Sequence, residues 1–273
     1  RGIGNLFFSD LLKTITREID RAGYTMVLRQ IDSDEDEVKA GAILEREKKL
    51  RGLIFLGGRF DYTSAELALI GVPYVCCSYT NRFGTMKAED YACVSIDDYS
   101  TARRAVNELI DMGHRRIAAL LPSCSDRSIS QLRYKGYLAA LADHGIDEDP
   151  VLVEETGSFD MQTTYHSMLE LLDRSRNFTA VFTVSDMMAM AAIKALTNHG
   201  LRVPEDCSVI AIDGLAMSEY TIPTLTTMVQ PTEEMGRKSV EILLDMVENQ
   251  SMPRHILLEA GLRKGGSVRP VSN

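Results

Sequence analysis

Leu11, Leu12, Ile15, Ile19 and Ala22 recur at helical spacing and predict an amphipathic helix, with Ser9 placed to cap its start and Gly23 its end. Residues 24–31 read as a strand. The acidic run 32–37 opens a second helix, where carboxylates suit the positive end of the helix dipole, and the mixed charges at 45–49 keep that helix solvated. Short apolar runs at 52–56, 74–77 and 93–96 read as buried strands, with a helix over 64–70 between the first two. The rhythm continues as helix 101–112 stopped by Gly113, strand 117–121, helix 129–144, strand 151–154, helix 162–174, strand 180–184, helix 187–199 and strand 208–212. Such alternation predicts an α/β protein whose parallel sheets are covered by helices on both faces. The restart after Asp97 suggests two sheets, with 225–247 and 256–262 returning between them.

Composition narrows the function. The chain has 273 residues, 45% hydrophobic and 25% charged, which fits a soluble protein of one large or two modest domains. A formal charge of −9 argues that this polypeptide does not itself grip a phosphate backbone, a task for clustered Lys and Arg. No apolar run reaches the roughly 20 residues of a membrane span, and residues 1–8 lack the form of a signal peptide, so a cytoplasmic protein is expected. Five cysteines without C-x-x-C spacing are expected to be free, buried thiols.

Catalytic patterns are missing. There is no G-x-S-x-G, Walker A, G-x-G-x-x-G or H-E-x-x-H, and the five histidines are scattered without ligand spacing, so neither an enzyme nor a metal or cofactor is expected. His114, just after Gly113 at a helix end, is placed to act as a cation on the helix dipole. Asp186 reads as the N-cap of the helix it precedes.

Several ordered motifs remain. They are Asn5-Leu6-Phe7-Phe8, Val94-Ser95-Ile96-Asp97-Asp98, Gly113-His114-Arg115-Arg116-Ile117, Arg133-Tyr134-Lys135-Gly136-Tyr137 and Ser185-Asp186-Met187-Met188-Ala189-Met190-Ala191. To these are added the stretch from Leu201 through Val203-Pro204-Glu205-Asp206 to Asp213, and the stretch from Leu225 through Val229-Gln230-Pro231 to Gly236. Together they resemble the effector-binding core of LacI/GalR-type bacterial transcription regulators over nearly the whole chain.

The resemblance implies two Rossmann-like lobes of the periplasmic-binding-protein type with a ligand cleft between them: residues 1–98 plus 229–255, and 99–228 plus 256–273. It implies a small-molecule effector, sugar-like, and a homodimer that reaches operator DNA through an upstream helix-turn-helix domain absent from this chain. The family opens the core with a strand before the first helix, and only Arg1 to Asn5 stand there, so a shortened chain is expected; the resemblance also implies roughly 60 further residues encoded ahead of the core, basic in character and with helix-turn-helix patterning. The runner-up is a periplasmic sugar-binding protein of a transport system.

For the site, the resemblance points to Arg133 as a donor to ligand, its planar fork spanning two acceptors, with a surface arginine as the alternative. Asp213, ending a buried strand, is the acceptor for adjacent hydroxyls, or else a turn acid before Gly214. Phe7, Phe8 and Phe159 are candidate platforms for a flat ligand face, Phe8 before Phe7, with a core role as the alternative. Arg127, Ser78 and Ser185 complete the expected set, the two serines departing from the family's usual residues. Asp97 is expected to order the crossing between lobes and not to touch ligand.

Overall fold

The computed structural model describes residues 6–31, 35–59 and 61–271. Residues 32–34 of the acidic run, and Asn5 of the first motif, lie outside the described residues. The chain divides into two compact units: the chain up to Ile96 with Pro231–Leu258, and Asp97–Gln230 with Glu259–Asn273.

The first unit opens with helix α1 (Leu6–Arg21), which buries Phe7, Leu11, Thr14, Ile15 and Ile19 on one face. Ser9 therefore lies inside the helix and does not cap it. Helix α2 (Glu37–Lys48) starts where the Asp36 carboxylate accepts from the Val38 and Lys39 amides, both at 3.1 Å, and ends at Lys49 in a left-handed conformation, φ 51°. Strands β1 (Leu53–Leu56), β2 (Tyr74–Cys77) and β3 (Ala92–Ile96) follow. Between β1 and β2, helix α3 (Ser64–Leu67) is shorter than the expected 64–70. Thr63 and Glu66 form a capping box at its start, and the Ile70 amide already turns back to the Leu67 carbonyl.

Residues 24–31, expected as a strand, have no ladder partner among the described residues. A largely apolar run is not sufficient, because a strand exists only through hydrogen bonds to a neighbour. This run instead walls a 540 Å³ groove lined chiefly by apolar residues of α1, α2 and β1, with Val27 and Leu28 left exposed.

In the second unit helix α4 (Asp98–Asp111) starts earlier than expected, because Asp97 caps it by accepting from the Ser100 amide at 3.2 Å. Then come β4 (Ile117–Leu121), α5 (Ile129–Asp143), β5 (Val153–Glu155), α6 (Met161–Arg174), β6 (Ala180–Thr183), α7 (Asp186–Asn198) and β7 (Ser208–Asp213). Strand β5 begins two residues late because Pro150–Leu152 form a tight turn capped by Asp149. Strand β8 (Thr226–Val229) precedes helix α8 (Thr232–Asn249), and β9 (His255–Leu258) and β10 (Gly261–Arg263) end the chain's regular structure.

The first unit's sheet runs β1-β2-β3-β9, all parallel, and the second unit's runs β10-β8-β7-β6-β4-β5, parallel except for β10. This places the division of the chain differently from expectation. Residues 256–258 pair with β3 and stay in the first unit, while Asp98 opens α4 and belongs to the second.

Strands β4, β6 and β7 are buried along their whole length, as expected of parallel strands covered on both faces. Each Leu, Ile, Val or Phe so buried contributes roughly 1.5–3 kcal/mol. Helices α4 and α5 meet at Gly136, where a Cβ would stand 2.3 Å from the Tyr99 carbonyl oxygen. One residue on, Tyr137 stacks on Phe182 at 6.2 Å and donates its hydroxyl to the Ile117 carbonyl at 2.8 Å. His114 is not the expected dipole cation. It is buried between Thr179 Oγ1 (2.8 Å) and the Arg269 carbonyl (3.1 Å), and burial holds its pKa below the usual value. All five cysteines are free, four of them buried, with Cys124 half-buried.

Candidate functional site

The parallel order of β6, β7 and β8 brings three carboxyl ends together at one edge of the second sheet. That edge is where open α/β sheets place ligands. Strand β6 runs out through Val184 and Ser185, β7 ends on Asp213, and β8 delivers Gln230. Asp213 lies at φ 142°, a backbone conformation that L-residues rarely adopt, and it is followed by Gly214 at φ 76°. A Cβ at Gly214 would fall 2.5 Å from the Val229 Cα, so the turn out of β7 presses directly on β8 and needs glycine.

Arg133 projects from α5 into this edge and is 1% exposed. It is not a surface arginine. Its Nε donates to Asp98 Oδ1 at 2.9 Å, its Nη2 lies 2.9 Å from the same oxygen, and its Nη1 donates to the Val184 carbonyl and stands 3.6 Å from Asp213 Oδ1. The Nη2 contact is off-axis for a hydrogen bond, so its proton lacks an aligned acceptor. Asp98, on the first turn of α4, thus fixes the guanidinium beneath the ends of β6 and β7.

Asp186 is not the N-cap of α7. Ser185 holds that place, accepting from the Met188 amide at 3.3 Å. The Asp186 carboxylate turns inward and accepts from the Leu215 amide, the Ser218 hydroxyl (each at 2.8 Å) and the Thr227 hydroxyl. Burial pushes its pKa up while these donors pull it down. It ties the ends of β7 and β8 to α7.

Asp213 receives Gln230 Nε2 at 2.9 Å and the Asp186 backbone amide. Burial pushes its pKa up to about 7. Arg133 pulls in the opposite direction, and the neighbouring Asp186 carboxylate adds to the rise. The result is a compact polar surface of carboxylate, guanidinium, carboxamide and hydroxyl groups, suited to a ligand rich in hydroxyls.

Of the remaining expected residues, one lies at this edge and the others fall elsewhere. Ser185 is at this edge, with its hydroxyl committed to the helix cap. Arg127, at φ 54°, is exposed in the loop between β4 and α5, and Phe159 is half-buried between β5 and α6. In the first unit Phe7 is buried in the core, whereas Phe8 is half-buried, its ring tip 2.9 Å from where a Cβ at Gly57 would stand, at the carboxyl end of β1. Ser78 ends β2 at φ 56°, buried, its amide donating to the Val94 carbonyl at 2.8 Å. Asp97 caps α4.

Sequence reasoning passed over Asp98, Gln230 and Glu37. Asp98 and Gln230 stand inside quoted motifs, each next to a strand end, which is the signal that locates them. Glu37, buried on the first turn of α2, accepts the Arg59 amide at 2.8 Å and packs against Gly58 just after β1. No group of His, Cys, Asp and Glu among the described residues has the arrangement of a metal site.

Comparison with known proteins agrees with this architecture. The family model described as a periplasmic binding protein-like domain matches residues 106–268. The chain is 34% identical over 264 residues to the HTH-type transcriptional regulator MalR of Clostridium butyricum, an alignment covering 96% of this chain and 78% of MalR. It is 30% identical over 244 residues to the repressor CytR of Escherichia coli, covering 89% and 70%. Among solved structures, a complex of the regulator CelR with cellobiose superposes at a TM-score of 0.84 with 31% identity, covering 96% of this chain and 79% of that one. A LacI family regulator from Enterococcus faecium with bound ribose gives 0.86 with 27% identity, covering 99% and 97%. The match to the periplasmic binding protein-like model places the chain in the class of two-unit effector-binding cores. The chain belongs to the LacI family of transcriptional regulators and comprises that core.

Proposed function

We propose that the chain senses a sugar or sugar derivative through the carboxyl edge of the second sheet, and that occupancy controls operator binding by the whole regulator. The observation that carries this reading is Asp213, a carboxylate at the end of β7 held beside Gln230 and a buried Arg133. A carboxylate there accepts from two neighbouring hydroxyls at once, which selects polyols. Arg133 and Ser185 complete the polar lining of the second unit, with Arg127 and Phe159 on its flanking loops. Phe8, with Phe7 behind it, and Ser78 serve the first unit's sheet edge. That CelR is solved with cellobiose and the Enterococcus faecium regulator with ribose supports a sugar class.

The reading is one of binding, not catalysis, with no cofactor. Ligand acts by its differential affinity for two states of the protein. DNA contact is assigned to a helix-turn-helix domain outside this acidic chain, in keeping with the HTH-type relatives. The assembly is taken as an isologous homodimer, matched to a two-fold operator. No helix among the described residues is long and apolar enough to cross a membrane, and a cytoplasmic regulator fits the relatives better than a transport protein does.

The test is a melting screen of mono- and disaccharides, their phosphates and nucleobases against wild type and Asp213→Ala. A ligand at about 100 times its Kd stabilises the native protein by roughly 2.7 kcal/mol. The variant is expected to lose that shift while still folding. A ligand that shifts both proteins equally removes Asp213 from the site.

A further inference from the structure

Three buried carboxyl groups crowd the edge of the second sheet. Asp98, Asp186 and Asp213 are all buried, and Arg133 is the guanidinium among them. Arg263 of β10 also enters the network, but its Nη1 pairs with Glu219 at 2.7 Å and its Nη2 donates to the Leu215 carbonyl and the Ser218 hydroxyl. With all three acids ionised, the Asp186 and Asp213 carboxylates lie out of water without a guanidinium in hydrogen-bonding contact, an arrangement normally relieved by protonating one of them.

The distribution of donors decides which acid takes the proton. Asp98 has the guanidinium at 2.9 Å from two of its nitrogens. Asp186 has two hydroxyls, Ser218 and Thr227, and the backbone amides of Leu215 and Gly214. Asp213 has the carboxamide of Gln230, the Asp186 amide and a guanidinium at 3.6 Å, beyond hydrogen-bonding range, while Asp186 repels it. It is the least compensated of the three.

Gln230 fits either protonation state. As placed, its Nε2 donates to Asp213, while its Oε1 is buried without a hydrogen-bond partner. Turned end for end, the carboxamide would offer that oxygen to a protonated Asp213 and direct its amino group elsewhere.

We propose that Asp213 is the proton-carrying group of the ligand site, so that the sheet edge offers a hydroxyl donor while that proton is held and a carboxylate acceptor once it is released. The inference rests on the reading of Asp213 as a ligand contact. It adds that protonation removes part of the acceptor capacity Asp213 offers to ligand hydroxyls, so that proton and hydroxyl donors compete for the group. The near-neutral pKa that burial imposes on Asp213 is in keeping with this.

The test needs no ligand. Protein labelled with ¹³C in its aspartate carboxyl carbons is titrated by NMR between about pH 4.5 and 9. Asp213 is identified by loss of its signal in Asp213→Asn, or by through-bond assignment from the backbone if that variant does not fold. The expected result is a midpoint near pH 7 for Asp213, against about 4 for surface aspartates. Asp186→Asn, which removes the repelling charge, is expected to lower that midpoint. A midpoint below about 5 in the wild type overturns the proposal. Because the titration is read on the free protein, it is independent of the melting screen. Asp213 can fail as a proton carrier and still bind sugar, or titrate near neutrality and make no ligand contact.

Discussion

Removing the charge of Arg133 and removing that of Asp98 should have unequal effects on stability, and the inequality follows from the geometry. Arg133→Met keeps much of the side chain's volume but leaves Asp98 and Asp213 without the cation that stands 2.9 and 3.6 Å from them. Breaking a buried pair from one side costs about 3–5 kcal/mol because a charge is left unpaired out of water. Asp98→Asn leaves the guanidinium with Asp213 and the Val184 carbonyl, and it removes one of the surplus negative charges. Its cost should therefore be smaller, about 1–3 kcal/mol, the penalty of an imperfectly satisfied polar group. Urea unfolding of wild type, both single variants and the double variant at pH 7.5 measures this. The Arg133→Met deficit should shrink at pH 5, where Asp213, relieved of the cation that lowers its pKa, is protonated. Equal losses below about 1 kcal/mol, the range of an exposed ion pair, would refute the account of this cluster as a buried, charge-deficient network.

Other consequences are local. Gly136→Ala forces a methyl to within 2.3 Å of the Tyr99 carbonyl and 2.9 Å of the Ala102 Cβ, so thermal unfolding should reveal a loss of about 1–3 kcal/mol or more. For His114, whose folded pKa is depressed by burial, stability is present above the unfolded value near 6.5 and lost as pH falls through the folded one. Denaturation at pH 7.5 and 5.5 should show that loss in wild type and a smaller one in His114→Gln. Asp213 has the opposite sign. Its folded pKa is raised to about 7, so its contribution is full below the unfolded value near 3.8 and lost as pH rises through 7, on the order of 4 kcal/mol across that window. Asp213→Asn should accordingly gain stability relative to wild type between pH 5 and pH 8, and a constant difference between the two proteins would contradict the raised pKa.

Legibility in the sequence depended on how local each feature is. Most helices and the strands β4, β6 and β7 could be read from the chain because their apolar periods and runs arise within a dozen residues, and stops such as Gly113 lie next to them, whereas the cap at Asp97 is not evident from the pattern and α4 starts three residues before the expected Thr101. Residues 24–31 misled because a strand needs a neighbour as well as a pattern, and no window of sequence contains the neighbour. His114 misled for a related reason. Its place after Gly113 suggests an exposed helix end, but Thr179 and the Arg269 carbonyl arrive from 65 and 155 residues away to bury it.

The candidate site divides along the same line. Arg133 and Asp213 are legible through the motifs that carry the family resemblance, Asp213 also as a polar group ending a buried strand. What the sequence cannot show is that Arg133 spends its Nε on Asp98, 35 residues back, or that Gln230 reaches Asp213 across a gap of 17. Those contacts exist because β7 and β8 are paired with Asp213 opposite Val229, which puts the next residue of β8's chain beside the carboxylate, and because α5 can approach α4 closely at Gly136. The register of one strand pair and one small residue thus determine the electrostatics of the edge. Without the pairing, Asp213 would be an ordinary exposed acid at a turn. With it, the same side chain is buried among two other acids and one guanidinium, where its protonation becomes sensitive to pH near neutrality.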